Sequence, residues 1–401
     1  MHLERIRGRR SRKLEGKLVV LAVTGSIAAV ECVKLARELA RRGAEVVAVM
    51  SEAAQKIIHP YALEFATGNR VITEITGAIE HVEFCGIDGR ADLLLIAPAT
   101  ANTISKIANG IDDTPVTTFA STALGAGKPV IIAPAMHEAM ILNRAVLDNI
   151  EKLTKLGVEF VQPRFEEGKA KFADIETICL HVERKLYEKK EFEGKKVVVT
   201  SGPTFEQLDP IRFISNRSSG LMGRELALEF WRRGARVVLI TSKPTGLQLP
   251  EFREVKVWSV NDMLRAALSE IRNCDVFVAA AAASDFLVEP EKTKIKTAEE
   301  YTISLRAAPK IIREVRKVFD GKIIGFKAET GVEDDVLIEL AREKMRTDNL
   351  DMVVANDVMV RGMGTEDTRV VMVTPKSVEW AEGLKSEVAE KIVDRFVEDC
   401  L

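Results

Sequence analysis

The sequence predicts an α/β protein of two Rossmann-like domains, each a mainly parallel sheet flanked by helices. Three observations predict it. The run Gly16-Lys17-Leu18-Val19-Val20-Leu21-Ala22-Val23-Thr24-Gly25-Ser26 is echoed by Gly194-Lys195-Lys196-Val197-Val198-Val199-Thr200-Ser201-Gly202-Pro203-Thr204. Each is a charged lead-in, a β-branched run and a glycine-containing turn with hydroxyls, the pattern of a buried parallel strand. The echo resumes in residues 39–51 and 230–242, where Arg-Arg-Gly-Ala precedes a second β-branched run in each half. Beyond both, strand patterns alternate with helical ones, as right-handed crossovers between parallel strands require.

The 401 residues carry 58 Lys and Arg against 60 Asp and Glu. That balance excludes a strongly basic nucleic-acid groove or membrane-surface patch. No apolar run approaches the roughly 18 residues of a membrane span. Residues 1–15 form a basic arm without the apolar stretch of a signal peptide, and are expected to be solvated. The cysteines Cys32, Cys85, Cys179, Cys274 and Cys400 show no C-x-x-C spacing, which fits a reducing cytoplasm better than a disulfide or zinc framework.

In the first half a strand over 18–23 leads to a helix over 27–42, and a strand over 46–49 to helical residues 52–66. His81 follows in a loop-rich stretch. Strands over 92–97 and 129–133 end in Pro98 and Pro134. A helix over 143–156, a strand over 158–161 and a charged helix up to Lys190 close the half. The Lys- and Glu-rich stretch 183–196 holds the domain boundary, giving domains 16–188 and 189–401.

Ligands of such sheets bind beyond the carboxyl ends of the strands. Thr24-Gly25-Ser26-Ile27-Ala28-Ala29 opens a helix there, and its amides and dipole suit a phosphate. The turn lacks both G-x-G-x-x-G and the Walker spacing, so a mononucleotide such as FMN fits better than a dinucleotide. Pro98-Ala99-Thr100-Ala101-Asn102-Thr103 reads as a loop whose small residues let a flat ring approach backbone. Ala133-Pro134-Ala135-Met136-His137-Glu138-Ala139-Met140 follows another strand.

These segments, with His81, resemble in order the flavin-dependent cysteine decarboxylases. The resemblance implies that the thiol carbon of a cysteinyl group is oxidised, CO₂ leaves, and the enethiol is reduced again. It makes His81 the base, a role suited to imidazole, and His137 the donor to the substrate carboxylate. It also implies an FMN site of Gly25, Ser26, Ile27, Ser51, Ala99, Thr100, Asn102, Thr103 and Met136. Two departures stand out. The family loop is commonly P-x-M-N-x-x-M-W, where this chain has His137 for Asn and Ile141 for Trp. The family flap often carries a Cys; residues 167–174 have none, and Lys171 is the nearest proton donor.

In the second half strands are predicted at 196–200, 236–241, 275–281, 322–327 and 351–355. Helices fall at 219–233, 262–272, 307–318 and 333–347, followed by a strand over 369–374 and a helix over 384–398. The polar, glycine-rich run 208–223 places Asn216 to offer a donor and an acceptor to an acyl group. Ser218, Ser219 and Gly220 open the next helix toward an anion. Residues 279–283 are small enough for a base or ribose to lie on backbone. Asp285 follows, suited to a hydroxyl or a metal. Lys294 and Lys296 share one face of an extended segment, as a triphosphate clamp needs.

This half resembles the phosphopantothenate–cysteine ligases, and the order of halves resembles the bifunctional coenzyme A biosynthesis proteins. The resemblance implies activation of the phosphopantothenate carboxylate by a nucleoside triphosphate, usually CTP, with Mg²⁺, and displacement of the nucleotide by cysteine. Asn216 would stabilise the acyl intermediate and Lys294 neutralise phosphate charge. Ala279, Ala280, Ala281, Asp285, Pro309, Lys310, Ile311, Ile312, Phe326 and Lys344 would form the nucleotide pocket. Asp348 stands where the family often has a second Lys, and Thr297 replaces the last Lys of K-I-K-K. No metal cage is visible. The resemblance further implies a cytoplasmic homo-oligomer, trimeric through the flavin domain and dimeric through the ligase. An FMN-binding regulatory protein that keeps only the ligase activity is the alternative; a nicotinamide reductase is disfavoured by the missing fingerprint.

Overall fold

The computed structural model describes residues 3–166, 169–297, 300–359 and 364–401. The chain divides into two compact units, Met1–Glu188 and Lys189–Leu401. The first contains β1 (Leu18–Val23), α1 (Cys32–Arg41), β2 (Glu45–Met50), α2 (Pro60–Thr67), α3 (Glu80–Cys85), β3 (Leu93–Ala99), α4 (Ala101–Ala108), α5 (Pro115–Gly125), β4 (Val130–Pro134), α6 (Arg144–Lys155), β5 (Glu159–Phe160) and α7 (Ile175–Leu186). Its main sheet has five parallel strands in the order β2-β1-β3-β4-β5. Successive side chains of a strand point to opposite faces. Val19, Leu21 and Val23 accordingly join one buried cluster, and Leu18, Val20 and Ala22 the other. Each fully buried Val or Leu among them stabilises the fold by about 1.5–3 kcal/mol. The strand order reverses at β1 and β3, so a crevice opens beyond their carboxyl ends.

Several expectations are corrected here. The predicted helix 27–42 begins as a tight 3₁₀ turn, Ile27–Glu31, ahead of α1. The predicted helix 52–66 is split: a short helix Glu52–Gln55 is followed by α2, which Pro60 starts and His59 caps through its Nδ1. The loop expected at 98–103 is the end of β3 and the first turn of α4. His81 lies on α3 rather than in a loop. The basic arm keeps its arginine side chains exposed, as expected, but its backbone is docked rather than free. Leu14 is fully buried, and Gly8, Arg10 and Leu14 donate backbone hydrogen bonds to the carbonyls of Ala40, Arg41 and Arg42 at the end of α1. Arg10 also bridges Glu38 and Glu176.

The second unit contains β6 (Lys196–Ser201), β7 (Phe205–Gln207), β8 (Phe213–Ser215), α8 (Leu221–Arg232), β9 (Arg236–Thr241), β10 (Phe252–Lys256), α9 (Val260–Glu270) and β11 (Val276–Ala279). It continues with β12 (Phe286–Val288), β13 (Leu305–Ala307), α10 (Ile311–Arg316), β14 (Lys322–Glu329), α11 (Asp334–Thr347), β15 (Met352–Asp357), β16 (Asp367–Val373), β17 (Val378–Leu384) and α12 (Lys385–Cys400). Its main sheet runs β10-β9-β6-β11-β14-β15-β16-β17. The first six strands are parallel and the last two antiparallel. This is the dinucleotide-fold order with two strands added, and its switch point lies between β6 and β11. Two small ribbons, β7 with β8 and β12 with β13, stand apart from the sheet and were not anticipated.

Candidate active sites

In the first unit the residues after β1 and β3 are tied together by one buried hydroxyl. Thr24 Oγ1 donates to the carbonyl of Pro98 at 2.7 Å and accepts from the amide of Thr100 at 3.1 Å. Around this tie, Ser26 accepts from the Ala28 amide and Ser51 from the Ala54 amide, each opening a short helix. Gly25 is glycine for a steric reason, since a Cβ there would lie 2.5 Å from the Ala53 Cβ. Thr100 caps α4 by accepting from the Thr103 amide, which leaves Asn102 exposed in the first turn. Ala99 is fully buried and its carbonyl accepts from the Ala135 amide, which fixes the start of the Met136–His137 strand. Ile27 is exposed at the mouth of the turn.

Met136 and His137 pair with Ala170 and Lys169, whose strand pairs in turn with Arg164–Glu166. The flap expected at 167–174 is thus a hairpin laid against the loop after β4; Glu167 and Gly168 lie outside the described residues. Lys171 ends its central strand, two residues from the partner of His137. The chain toward His81 departs from the end of β2, where Ile72 pairs with Val49. His81 is half-buried, and its Nδ1 is buried without a hydrogen-bond partner. The structure therefore brings together Gly25, Ser26, Ser51, Ala99, Thr100, Thr103 and the Met136 segment. No hydrogen bond among the described residues joins His81 to them.

In the second unit Ser201-Gly202-Pro203-Thr204 leaves β6 and packs against the chain leaving β11. Ala282 donates to the carbonyl of Gly202, and Ser284 donates to Thr204 Oγ1 at 2.9 Å. Gly220 begins α8 at φ 78°, in the left-handed region, with its Cβ position 3.1 Å from the Cα of Gly202. A side chain there would meet both a steric wall and an unfavourable backbone. The start of α8 so held lines a cavity of 160 Å³ together with Ala280, Ala281, Ala282, Phe326 and Lys327. Lys385, the first residue of α12, lines it too; burial pulls the pKa of its ammonium below the usual lysine range.

Asn216 is exposed and donates from Nδ2 to the Ala282 carbonyl at 2.9 Å, beside the alanine wall. The other expected pocket residues are placed less directly. Lys310 is paired with Asp285 at 2.5 Å, and both are exposed. Ile311 and Ile312 belong to the hydrophobic core, so their side chains are packing groups. Lys344 is paired with Asp348, which also accepts from Arg313. The residue in place of the family's second Lys thus neutralises the first one. Lys294 is exposed and lies outside the cavity lining. Lys327, Asn356, Thr368 and Lys385 line the cavity without having been expected. Lys327 ends the strand predicted over 322–327, where ligands of such sheets bind, and was legible on that ground; Lys385 carried no sequence signal beyond a helix start.

The two halves match two family models. Residues 7–187 match the model described as Flavoprotein. Residues 192–400 match the DNA/pantothenate metabolism flavoprotein C-terminal domain. The chain is 53% identical to the coenzyme A biosynthesis bifunctional protein CoaBC of Thermococcus kodakarensis, over 98% of each chain. It is 42% identical to the protein of that name from Methanocaldococcus jannaschii, over 97% of this chain and 96% of the relative. A solved C-terminal domain of a protein of that name is 32% identical, with a TM-score of 0.43 and coverage of 53% of this chain and 100% of its own.

Proposed function

This chain belongs to the family of coenzyme A biosynthesis bifunctional proteins, and on that footing we propose that its two units run consecutive steps. The second unit is a phosphopantothenate–cysteine ligase that activates its carboxylate substrate with CTP accompanied by Mg²⁺. The first is a phosphopantothenoylcysteine decarboxylase that uses FMN and yields 4′-phosphopantetheine. The observation that carries the reading is the presence of two switch-point crevices in one chain with different chemistry. The first presents two capped helix starts, and we assign it His81, whose buried Nδ1 lacks a partner. The other is served by an amide side chain and a glycine-started helix.

FMN suits the first crevice, where two capped helix starts present amides. Gly25, Ser26, Ile27, Ser51, Ala99, Thr100, Asn102, Thr103 and Met136 would hold it. Bound there, it supplies a reversible two-electron oxidation of the substrate's thiol carbon. His81 takes the proton from the reacting cysteinyl group, and its unpartnered nitrogen leaves the imidazole free to do so. His137 donates to the departing carboxylate, and Lys171 returns the last proton from the hairpin. In the second crevice Asn216 orients the acyl group and Lys294 offsets phosphate charge. Exposed apolar residues suggest the surfaces of a homo-oligomer: Ile27, Val30, Ile79 and Val82 for a trimer-based first unit, and Phe213, Phe286 and Leu305 for a dimeric second. A reducing cytoplasm suits the five free cysteines.

The purified protein should be yellow. With phosphopantothenate, cysteine and each nucleoside triphosphate in turn, pyrophosphate release should depend on phosphopantothenate and be fastest with CTP, and CO₂ should follow. His81→Asn should abolish CO₂ release alone, whereas Asn216→Asp should abolish pyrophosphate release and with it CO₂ release, which supplied phosphopantothenoylcysteine should restore. Bound FMN without CO₂ release in the wild type would instead favour the regulatory reading.

A further inference from the structure

Lys294 and Lys296 lie in a connection that has no helix or strand over residues 289–297. Its backbone is nevertheless gripped. The amide of Glu291 donates to the Leu208 carbonyl at 2.8 Å. The amide of Ile295 donates to Asp209 Oδ2 at 3.0 Å, and the carbonyl of Ile295 accepts from Arg212 Nη2 at 2.6 Å. One residue is thus held by its N–H and its C=O together, and both holders belong to one short loop.

Asp209 is built for this task. It is 1% exposed. Its Oδ1 accepts from the amides of Ile211 and Arg212, each at 2.8 Å. Its Oδ2 accepts from Arg212 Nε at 2.9 Å and Nη2 at 2.5 Å as well as from Ile295. A two-pronged guanidinium–carboxylate pair fixes geometry as well as charge. The Arg212 guanidinium holds the carboxyl well below the usual carboxylate range, so the grip persists throughout the neutral pH range. The same loop runs on to Asn216, which reaches the alanine wall of the crevice.

We propose that Asp209 is a positioning residue for the ligase step: with Arg212 it latches the backbone at Ile295 and so delivers Lys294 to the site served by Asn216. In an extended segment alternate side chains share a face, so fixing Ile295 sets Lys294 and Lys296 together. The latch acts through Lys294 and touches no substrate. It rests on the ligase reading given above.

The test is a double-mutant cycle in the full chain, read as CTP-dependent pyrophosphate release. Misplacing a reacting group by about 1 Å costs about a hundredfold, so Asp209→Asn should lower kcat by about tenfold to a hundredfold with KM for CTP little changed. In a Lys294→Gln background the same change should cost nothing further. A full, multiplicative loss in that background would overturn the latch. Trypsin supplies a readout without turnover: cleavage after Lys294 or Lys296 should be faster in Asp209→Asn than in the wild type, and equal rates would overturn the proposal. Wild-type protein without ligase activity would defeat the ligase reading while leaving the proteolysis result to judge the latch. Retention of the second unit's cooperative thermal unfolding transition shows that the unit carrying the variant is folded. If Asp209→Asn does not fold, Arg212→Lys removes the fork while keeping the charge, and must give the same pattern.

Discussion

A threonine hydroxyl does the same work in both crevices. Thr24 accepts from the Thr100 amide, and Thr204 accepts from the Ser284 amide. In each unit the first strand's turn is thereby fastened to the chain leaving its switch-point partner. Thr24 is 1% exposed, so replacing it with Val removes the hydroxyl at nearly constant volume and leaves the Thr100 amide without its acceptor. An unsatisfied buried donor costs about 1–3 kcal/mol. Thr24→Val should therefore lower the unfolding midpoint of the first unit and release FMN more readily, as followed by thermal unfolding and by flavin fluorescence after gel filtration. Unchanged flavin retention would mean that the two turns hold their places without the tie. Both threonines stand in the turns that the sequence itself singles out, yet their role was not legible. A hydroxyl's partner across 76 or 80 residues follows from register, which only the assembled sheet supplies. The burial of Ile311 and Ile312 was hidden for the same reason, because a pocket wall and a core wall use the same residue types.

At the level of elements, legibility followed the strength of the local pattern. β1, β3 and β4 are buried along their whole length and read as apolar runs. α5 reads Pro-Val-Thr-Thr-Phe-Ala-Ser-Thr-Ala-Leu-Gly, a composition of poor helix propensity. It forms because Thr114 and Thr117 make a capping box over Pro115 and because Val116, Phe119, Ala120 and Ala123 are buried. The basic arm was legible only in part: its arginine side chains are exposed, as charge density implies, but its backbone docks on the end of α1, beside a buried ion network. Here Arg42, at the end of α1, pairs with the fully buried Glu183 of α7 at 2.7 Å and with Glu38, to which Arg10 also binds. Burial alone would lower the Arg42 pKa, but the carboxylates of Glu183 and Glu38 raise it above the usual arginine value, so the guanidinium stays charged. Removing one partner of such a buried pair costs about 3–5 kcal/mol, because the other charge is left uncompensated. Arg42→Met should destabilise the first unit by that amount in denaturant unfolding while Arg10→Met, at a half-exposed bridge, costs far less. Equal effects would show that the arm, not the buried pair, is the stabilising feature.

The molecule as a whole repeats a strand-turn-helix start without repeating the sheet that grows from it. The first unit adds three strands beyond β1 on one side, in the order of a mononucleotide fold. The second follows the dinucleotide order and then turns two strands antiparallel. Each crevice is assembled from residues of its own unit, and each unit has its own core clusters. On the proposed reading the product of one crevice is the substrate of the other, so the two need share only a diffusing intermediate. This has a direct test. Separately purified full-length His81→Asn and Asn216→Asp, given phosphopantothenate, cysteine and CTP, should each make no 4′-phosphopantetheine. The first should accumulate phosphopantothenoylcysteine, and the second should consume that compound when it is supplied. Mixed, they should make 4′-phosphopantetheine after a lag, because the intermediate must build up in solution before the second crevice is filled. The wild type, where both crevices lie on one chain, should show the same lag at equal site concentration. A wild type without the lag, beside a mixture that has it, would mean that the intermediate passes between crevices without escaping, and that joining the two units in one chain is itself part of the catalysis.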